Sequence, residues 1–302
     1  MPEYPRRSAS AAVPAPDCPQ WIVTRAGVRA ALGGRRDDPG ALSAAWRIRE
    51  CMPAFAETIT AEHEFRDRVL AQASRDGFRQ YVVVDPDLPP WMPVHEVLPA
   101  SSGTRVLYLL SDTESAVRSW MVATYHDNPD VSWMSSYPGL GACLRVAAGT
   151  GEITLDAPIW VVLSSALQHT WDPQALLADL WDVLPAESRV SVTHVAPQHP
   201  ATTPDLGRSP VEAAFTSSLP SPLILRPISE VLDMFTDPHE WDLLRCHGVE
   251  IQASPDTATS VSTPDTASEL ITVIARRPPR TRPLPSNSTV DHARNPGHDL
   301  DA

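Results

Sequence analysis

Short apolar runs rich in β-branched residues alternate along this chain with longer stretches of helical periodicity, and that alternation constrains the fold most. The runs are Tyr81-Val82-Val83-Val84, Arg105 to Leu110 (RVLYLL), Ile159 to Leu163 (IWVVL), and a stretch from Arg189 to His194 carrying Val190 and Val192. Continuous apolar runs of this length suit strands buried on both faces. Helical spacing marks residues 40–51 and 54–74, and again 113–125, where Ala116, Val117, Trp120 and Met121 share a face. It returns at 172–184, with Asp172 as cap, Pro173 in the first turn, and Leu176, Leu177, Leu180 and Trp181 inward. A short helix is expected over 229–235, and residues 248–252 with 270–275 would close the sheet. Strands connected through helices need crossover connections, so the expected class is α/β, a mostly parallel sheet with helices on both faces. Ligands of such sheets bind beyond the carboxyl ends of the strands. Function is therefore sought just after Val84, Leu110, Leu163 and His194.

At 302 residues the chain has room for one large domain, expected over 21–276 with a helical extension ahead of the first strand. Residues 1–20 and 277–302, rich in Pro, Arg and small polar residues, read as disordered tails, and 253–268, with its repeated Pro-Asp-Thr-Ala, as a mobile loop. Acidic residues outnumber basic ones 37 to 24, a net charge of −13, which argues against a nucleic-acid partner. Every one of the 24 cations is arginine. Without lysine there is no Schiff base, no phosphate-loop lysine and no Ser-Lys nucleophile pair. Four scattered cysteines, no signal-type apolar core and no long apolar run predict a cytoplasmic protein with reduced thiols and no membrane partner.

The turn after the first run is Asp85-Pro86-Asp87-Leu88-Pro89-Pro90-Trp91. A nucleotide-type ligand at such a turn normally needs glycines, so that backbone N–H groups can approach it. Two carboxylates and three prolines stand there instead. The segment from Gly77 to Val97 (GFRQYVVVDPDLPPWMPVHEV) resembles, with substitutions, a motif of an actinobacterial family of S-adenosylmethionine-dependent methyltransferases. Gly77, Gln80, Leu88, Pro89 and Val94-His95-Glu96-Val97 carry the likeness. It continues through Leu32-Gly33-Gly34, Leu155-Asp156, Pro158, Asp172-Pro173, His194, Pro222-Leu223, Leu225-Arg226 and the closing Val273 to Pro278. The resemblance implies a Rossmann-like methyltransferase fold with a seven-stranded sheet, and S-adenosylmethionine as cofactor.

The departures fall where that cofactor would sit. The family's acid in the first strand falls on Val83, its two glycines on Asp85 and Asp87, and its ribose-binding acid on Leu110, with Asp112 nearby. Ser135-Ser136-Tyr137 stands where an acid normally reads the adenine, and the histidine after the fourth strand falls on Gln168, beside His169. Each ligand group left dry and unpaired costs about 1–3 kcal/mol. By resemblance and position, the expected cofactor contacts are Asp85, Asp87, Leu88, His95, Asp112 and Ser164, with no catalytic residue or metal assigned. The reading is a methyltransferase-like protein with a degraded cofactor motif, S-adenosylmethionine binding being weakened or lost. Methyl transfer to an unknown small-molecule acceptor is one outcome and a non-catalytic scaffold or binding protein the other. A third is an acid-lined pocket for a cation, formed by Asp85, Asp87 and Asp112. Asp85→Gly with Asp87→Gly should restore or tighten cofactor binding.

Other constellations read as structural. His63 between Glu62 and Glu64 fits an exposed helix face, and His194 with His199 lacks a third metal ligand. Ser164-Ser165 has no nucleophile-elbow context. Trp46, Trp120, Trp160 and Trp181 occupy apolar positions and are expected in the core, and the Arg276, Arg277, Arg280, Arg282 stretch reads as a solvated tail.

Overall fold

The computed structural model describes residues 23–99, 103–111, 115–197, 210–219, 221–236, 239–251 and 268–279. The expected tail 1–20, nearly all of the loop 253–268, Asp112, His199, and the chain beyond 279 lie outside these residues. Three helices lead: α1 (Arg25–Leu32), α2 (Pro39–Cys51) and α3 (Phe55–Arg75). Thr24 caps α1 by accepting from the Gly27 N–H, and Asp38 caps α2 by accepting from Ala41, with a proline in its first turn. Then follow β1 (Gln80–Val84), α4 (Val94–Val97), β2 (Arg105–Leu110), α5 (Ser115–Tyr125), β3 (Val131–Ser135) and α6 (Leu140–Thr150). The rest are β4 (Trp160–Ser164), a 3₁₀ turn (Ala166–His169), α7 (Pro173–Val183), β5 (Arg189–Pro197), α8 (Pro210–Thr216), α9 (Ile228–Asp233), β6 (Asp242–Ile251) and β7 (Ser268–Arg276).

The seven strands form one sheet in the order β3-β2-β1-β4-β5-β7-β6. All pairs are parallel except those of β7, which runs antiparallel to both β5 and β6. The order reverses between β1 and β4, so the crevice such sheets offer opens at the carboxyl ends of those two strands. Alternate side chains feed opposite layers. Val82, Val84, Leu107 and Leu109 pack with Leu144, Leu177 and Leu180 on the face covered by α6, α7 and α9, while Tyr81, Val83, Tyr108 and Leu110 meet α3 and α5 on the other. A third cluster joins α1, α2 and α8 through Val28, Ile48, Phe55 and Phe215 and reaches Val195 in the carboxyl half of β5. The helical extension is thereby seated against the edge where the crevice opens.

Two expectations about packing are corrected. Trp46 is 63% exposed, on the outer side of α2, whereas Trp160 is fully buried as expected. Arg277 does not begin a free tail. It is buried, its N–H donates to the Ser188 carbonyl, and its Nε donates to the Trp181 carbonyl at 2.8 Å. No helix among the described residues is long and apolar enough to cross a membrane.

Candidate functional site

The turn after β1 is held by charges. Asp85 has φ +50°, the left-handed region that a glycine adopts freely and an aspartate tolerates. Its N–H donates to the Leu109 carbonyl at 2.8 Å, and its Oδ1 accepts from the Ser111 N–H at 2.8 Å. The aspartate thus bridges the ends of β1 and β2 with its own side chain. Arg25 of α1 reaches over and donates to the Asp85 carbonyl at 2.6 Å, its guanidinium 3.9 Å from the carboxylate.

Asp87 is deeper. Arg29 Nε donates to its Oδ1 at 2.8 Å, His63 Nε2 lies 3.0 Å from its Oδ2, and Arg29 also pairs with Glu62 at 2.5 Å. Arg29, Glu62, His63 and Asp87 are all buried. Burial alone would raise the Asp87 pKa, but the Arg29 charge and the His63 contact overcome it and hold the carboxyl well below the usual range. Burial depresses His63, which therefore stays neutral at neutral pH despite its acidic neighbour. Trp91 closes the network, stacking on His63 with centroids 4.3 Å apart. A Cβ on Gly33 would stand 2.6 Å from the Trp91 ring, so position 33 is glycine because the indole lies against it.

This overturns the reading of Glu62 and His63 as surface residues; of the three, only Glu64 is exposed, at 65% of its side chain. The signal was in the spacing. Glu62 and Arg66 sit three and seven residues after Ile59 on the same stripe as Phe55, Val69 and Leu70, and a charge on an apolar stripe needs a buried partner. The joint glycine substitution of Asp85 and Asp87 is corrected with it. Removing Asp87 would strip Arg29 Nε and His63 of their buried partner while Arg29 stays paired with Glu62, a loss of about 2–4 kcal/mol.

Beside this turn a cleft of about 370 Å³ opens at the carboxyl edge. It is lined by Val84 and Asp85 after β1, Ser136, Gly139 and Leu140 after β3, Ala166, His169 and Thr170 after β4, and Asp179 of α7. His169 Nδ1 lies 2.7 Å from the Pro222 carbonyl, which can only accept, so Nδ1 carries the proton and Nε2 is left with its lone pair. That Nε2 is buried and has no hydrogen-bond partner among the described residues. Burial, with the Arg25 charge adding to it, pushes the His169 pKa well below the usual value, so the ring is neutral. Asp179 accepts from the Gly141 N–H at 2.7 Å, and a Cβ at position 141 would strike it. Asp85, Asp179 and the His169 ring line the cleft, the His169 Nε2 itself being buried, and no arginine is among the described residues that line it.

The loop after β4 is fixed by hydrogen bonds to its backbone. Gln168 Oε1 accepts from the Val195 N–H at 3.0 Å, and its carbonyl accepts from Ile224. His194, buried and with its pKa pushed down to about 3 by burial and the neighbouring Arg226, accepts from the Arg226 N–H through Nε2. The Arg226 guanidinium donates to the carbonyls of Leu167 and Thr170 at 2.9 and 3.1 Å. The Pro222-Leu223, Leu225-Arg226 likeness is thus a clamp on the cleft wall.

Of the residues expected to contact a cofactor, Asp85 alone lines the cleft. Asp87 is inside the ion network, and Leu88 is buried in the apolar layer beneath α3 and β1. His95 anchors α4 to β2, its Nδ1 2.8 Å from the Tyr108 hydroxyl. Ser164 sits at a register shift between β4 and β5 with φ +38°, off the cleft lining, and Asp112 is outside the described residues. An acidic pocket of Asp85 with Asp87 is not formed, because Asp87 is sealed by Arg29; Asp179 is the second cleft carboxylate, and sequence pattern did not reveal it. Among the described residues no group of His, Cys, Asp or Glu could hold a metal ion.

A parallel sheet reversing between β1 and β4, with an antiparallel β7 and a crevice at its carboxyl edge, is the Rossmann-like methyltransferase fold. The family model for S-adenosyl methyltransferases matches residues 29–278, and the chain belongs to that family. Among solved structures it is similar to a DUF574 family protein of Streptomyces avermitilis, 17% identical with a TM-score of 0.66 over 85% of this chain and 98% of that one. A candidate methyltransferase of Thermobifida fusca is also similar, 17% identical with a TM-score of 0.63 over 85% and 96% of the two chains. No curated protein matches the sequence.

Proposed function

We propose that this chain is a methyltransferase-family protein whose cofactor corner has been rebuilt into an internal ion network, leaving a small-ligand cleft without methyl-transfer activity. The observation that carries this reading is Asp85, whose carboxylate takes the Ser111 N–H at the end of β2 while Arg25 holds its carbonyl. Leu110 beside it is fully buried and offers no acceptor. The corner does not fit S-adenosylmethionine as a glycine-rich turn would hold it. A carboxylate already stands there, and a methionine carboxylate brought against it would be repelled. What is left is a cleft lined by Asp85 and Asp179, which suits a small molecule rich in hydrogen-bond donors or carrying positive charge.

The second reading is methyl transfer to a small-molecule acceptor. The cleft favours it, since it opens at the edge where this fold places its cofactor. Calorimetric titration of the purified chain with S-adenosylmethionine and with S-adenosylhomocysteine separates the two. The first reading expects no saturable heat below about 1 mM, a binding free energy weaker than about 4 kcal/mol. Saturation in the micromolar range would overturn the first and favour the second. The protein is read as cytoplasmic, consistent with its sparse, unpaired cysteines Cys51, Cys143 and Cys246.

A further inference from the structure

A second and larger cavity, about 660 Å³, lies on the other side of the sheet's rim. It is bounded by α3, by the amino ends of β4 and β5 at Trp160 and Arg189, and by the β6–β7 hairpin at Leu244, Arg245 and Ile274. The candidate cleft is at the carboxyl ends of the strands, so the two sites share no residue. Ligand cavities span about 300–1,000 Å³, and this one falls within that range.

Its chemistry is two-sided. The floor is apolar, formed by Phe65, Val69, Trp160 and Ile274, with Leu244 45% exposed at the edge. The rim is cationic: four arginines, Arg68, Arg75, Arg189 and Arg245, against the single carboxylate of Asp76. In a chain of net charge −13, a local excess of three positive charges runs against the whole. Asp76 does not cancel it, being committed to Arg189 at 2.7 Å and to Gln72 at 2.6 Å. Arg189 is also fixed by its neighbours, its guanidinium carbon 5.2 Å from the Phe78 ring centroid and 5.5 Å from that of Trp160. Arg68 has one loose contact, Glu64 at 3.7 Å, and Arg245 has no ion-pair partner among the described residues. A guanidinium held in place loses less freedom when it grips a planar anion, and its fork matches a carboxylate.

The geometry points to a binding site for an amphipathic organic anion, an apolar body laid on Phe65, Val69 and Ile274 with its carboxylate at the Arg75, Arg189 and Arg245 rim. The site is independent of the cofactor corner and of whether methyl transfer occurs.

Decanoate is the probe, with decylamine as its counterpart of opposite charge and equal chain length. Calorimetric titration of the wild-type chain should give saturable decanoate binding with a Kd below about 1 mM, and none for decylamine in that range. Arg75→Gln with Arg245→Gln, both exposed and outside any buried pair, should weaken decanoate at least about fivefold, roughly 1 kcal/mol, with the unfolding midpoint unchanged. No saturation below about 1 mM, equal binding of decylamine, or a smaller loss in the double variant would each overturn the assignment.

Discussion

Two loops leave neighbouring strands at the same edge of the sheet and are held by opposite means. The turn after β1 is locked by charge: Arg25 on Asp85, and Arg29 between Asp87 and Glu62, with His63 under Trp91. The loop after β4 is held through its backbone, with His169 on Pro222, Gln168 on Val195, His194 on the Arg226 N–H, and the Arg226 guanidinium, itself paired with Glu230, on two carbonyls. Family likeness persists in the second, at His194 and Arg226, where residues hold the backbone in place. In the first, Leu88 and Pro89 keep it, while Asp85 and Asp87 stand where the resemblance implies glycines. Ion pairs inside the turn fix the first loop, and anchoring of backbone N–H and carbonyl groups fixes the second.

The contrast predicts that the two loops respond differently to acid. His194 has a folded pKa near 3 against an ordinary value of about 6.5, so the unfolded chain takes up its proton first. Stability held at neutral pH is then lost as pH falls from about 6.5 toward 3, on the order of 4–5 kcal/mol in total. Asp87 is depressed in the folded state, so its contribution is lost only below the ordinary carboxylate value of about 3.9. Urea denaturation at stepped pH should show the decline beginning above pH 5, and His194→Gln should reduce it, the remainder coming from His169 and His63, which burial also keeps neutral; a flat wild-type profile from about pH 6.5 to 4.5 would break the account.

Within the charged turn, Asp87→Ala should lower stability by about 2–4 kcal/mol, since Arg29 Nε and His63 lose a buried acceptor although Arg29 keeps Glu62. A loss under about 1 kcal/mol would mean that water reaches the network. Gly33→Ala presses a methyl on Trp91, and a cost of about 1–3 kcal/mol is expected, with the Trp91 fluorescence shifted; an unchanged midpoint would show that the indole is free to move. Asp85→Gly has the smallest expected effect on stability, within about 1 kcal/mol, because relief of the left-handed backbone offsets the lost bond to Ser111.

The sheet was legible because β1, β2, β4 and β5 are buried on both faces and read as apolar runs. β3 is an edge strand with four half-buried residues, and its pattern does not stand out. α6 carries a helical stripe in Leu140, Cys143, Leu144 and Ala147, yet its small residues give a weak signal. The candidate site was less legible for a different reason. Asp85 and Asp87 were found by position, but their partners Arg25, Arg29, Glu62 and His63 lie about twenty to sixty residues earlier, on helices whose polar faces look like surface. No periodicity pairs a charge on α1 with one after β1. Asp179 and the His169 lone pair share the limitation, being brought to the cleft only by the crossing of α7 and β4.

The most direct test compares S-adenosylmethionine binding to wild type and Asp85→Gly by calorimetry, with Asp87 left in place to keep the network intact. Removing the carboxylate that bridges β1 and β2 should tighten binding at least about tenfold, some 1.4 kcal/mol, from a wild-type value weaker than about 1 mM. Wild-type affinity in the micromolar range, unchanged or lowered in the variant, would contradict the account.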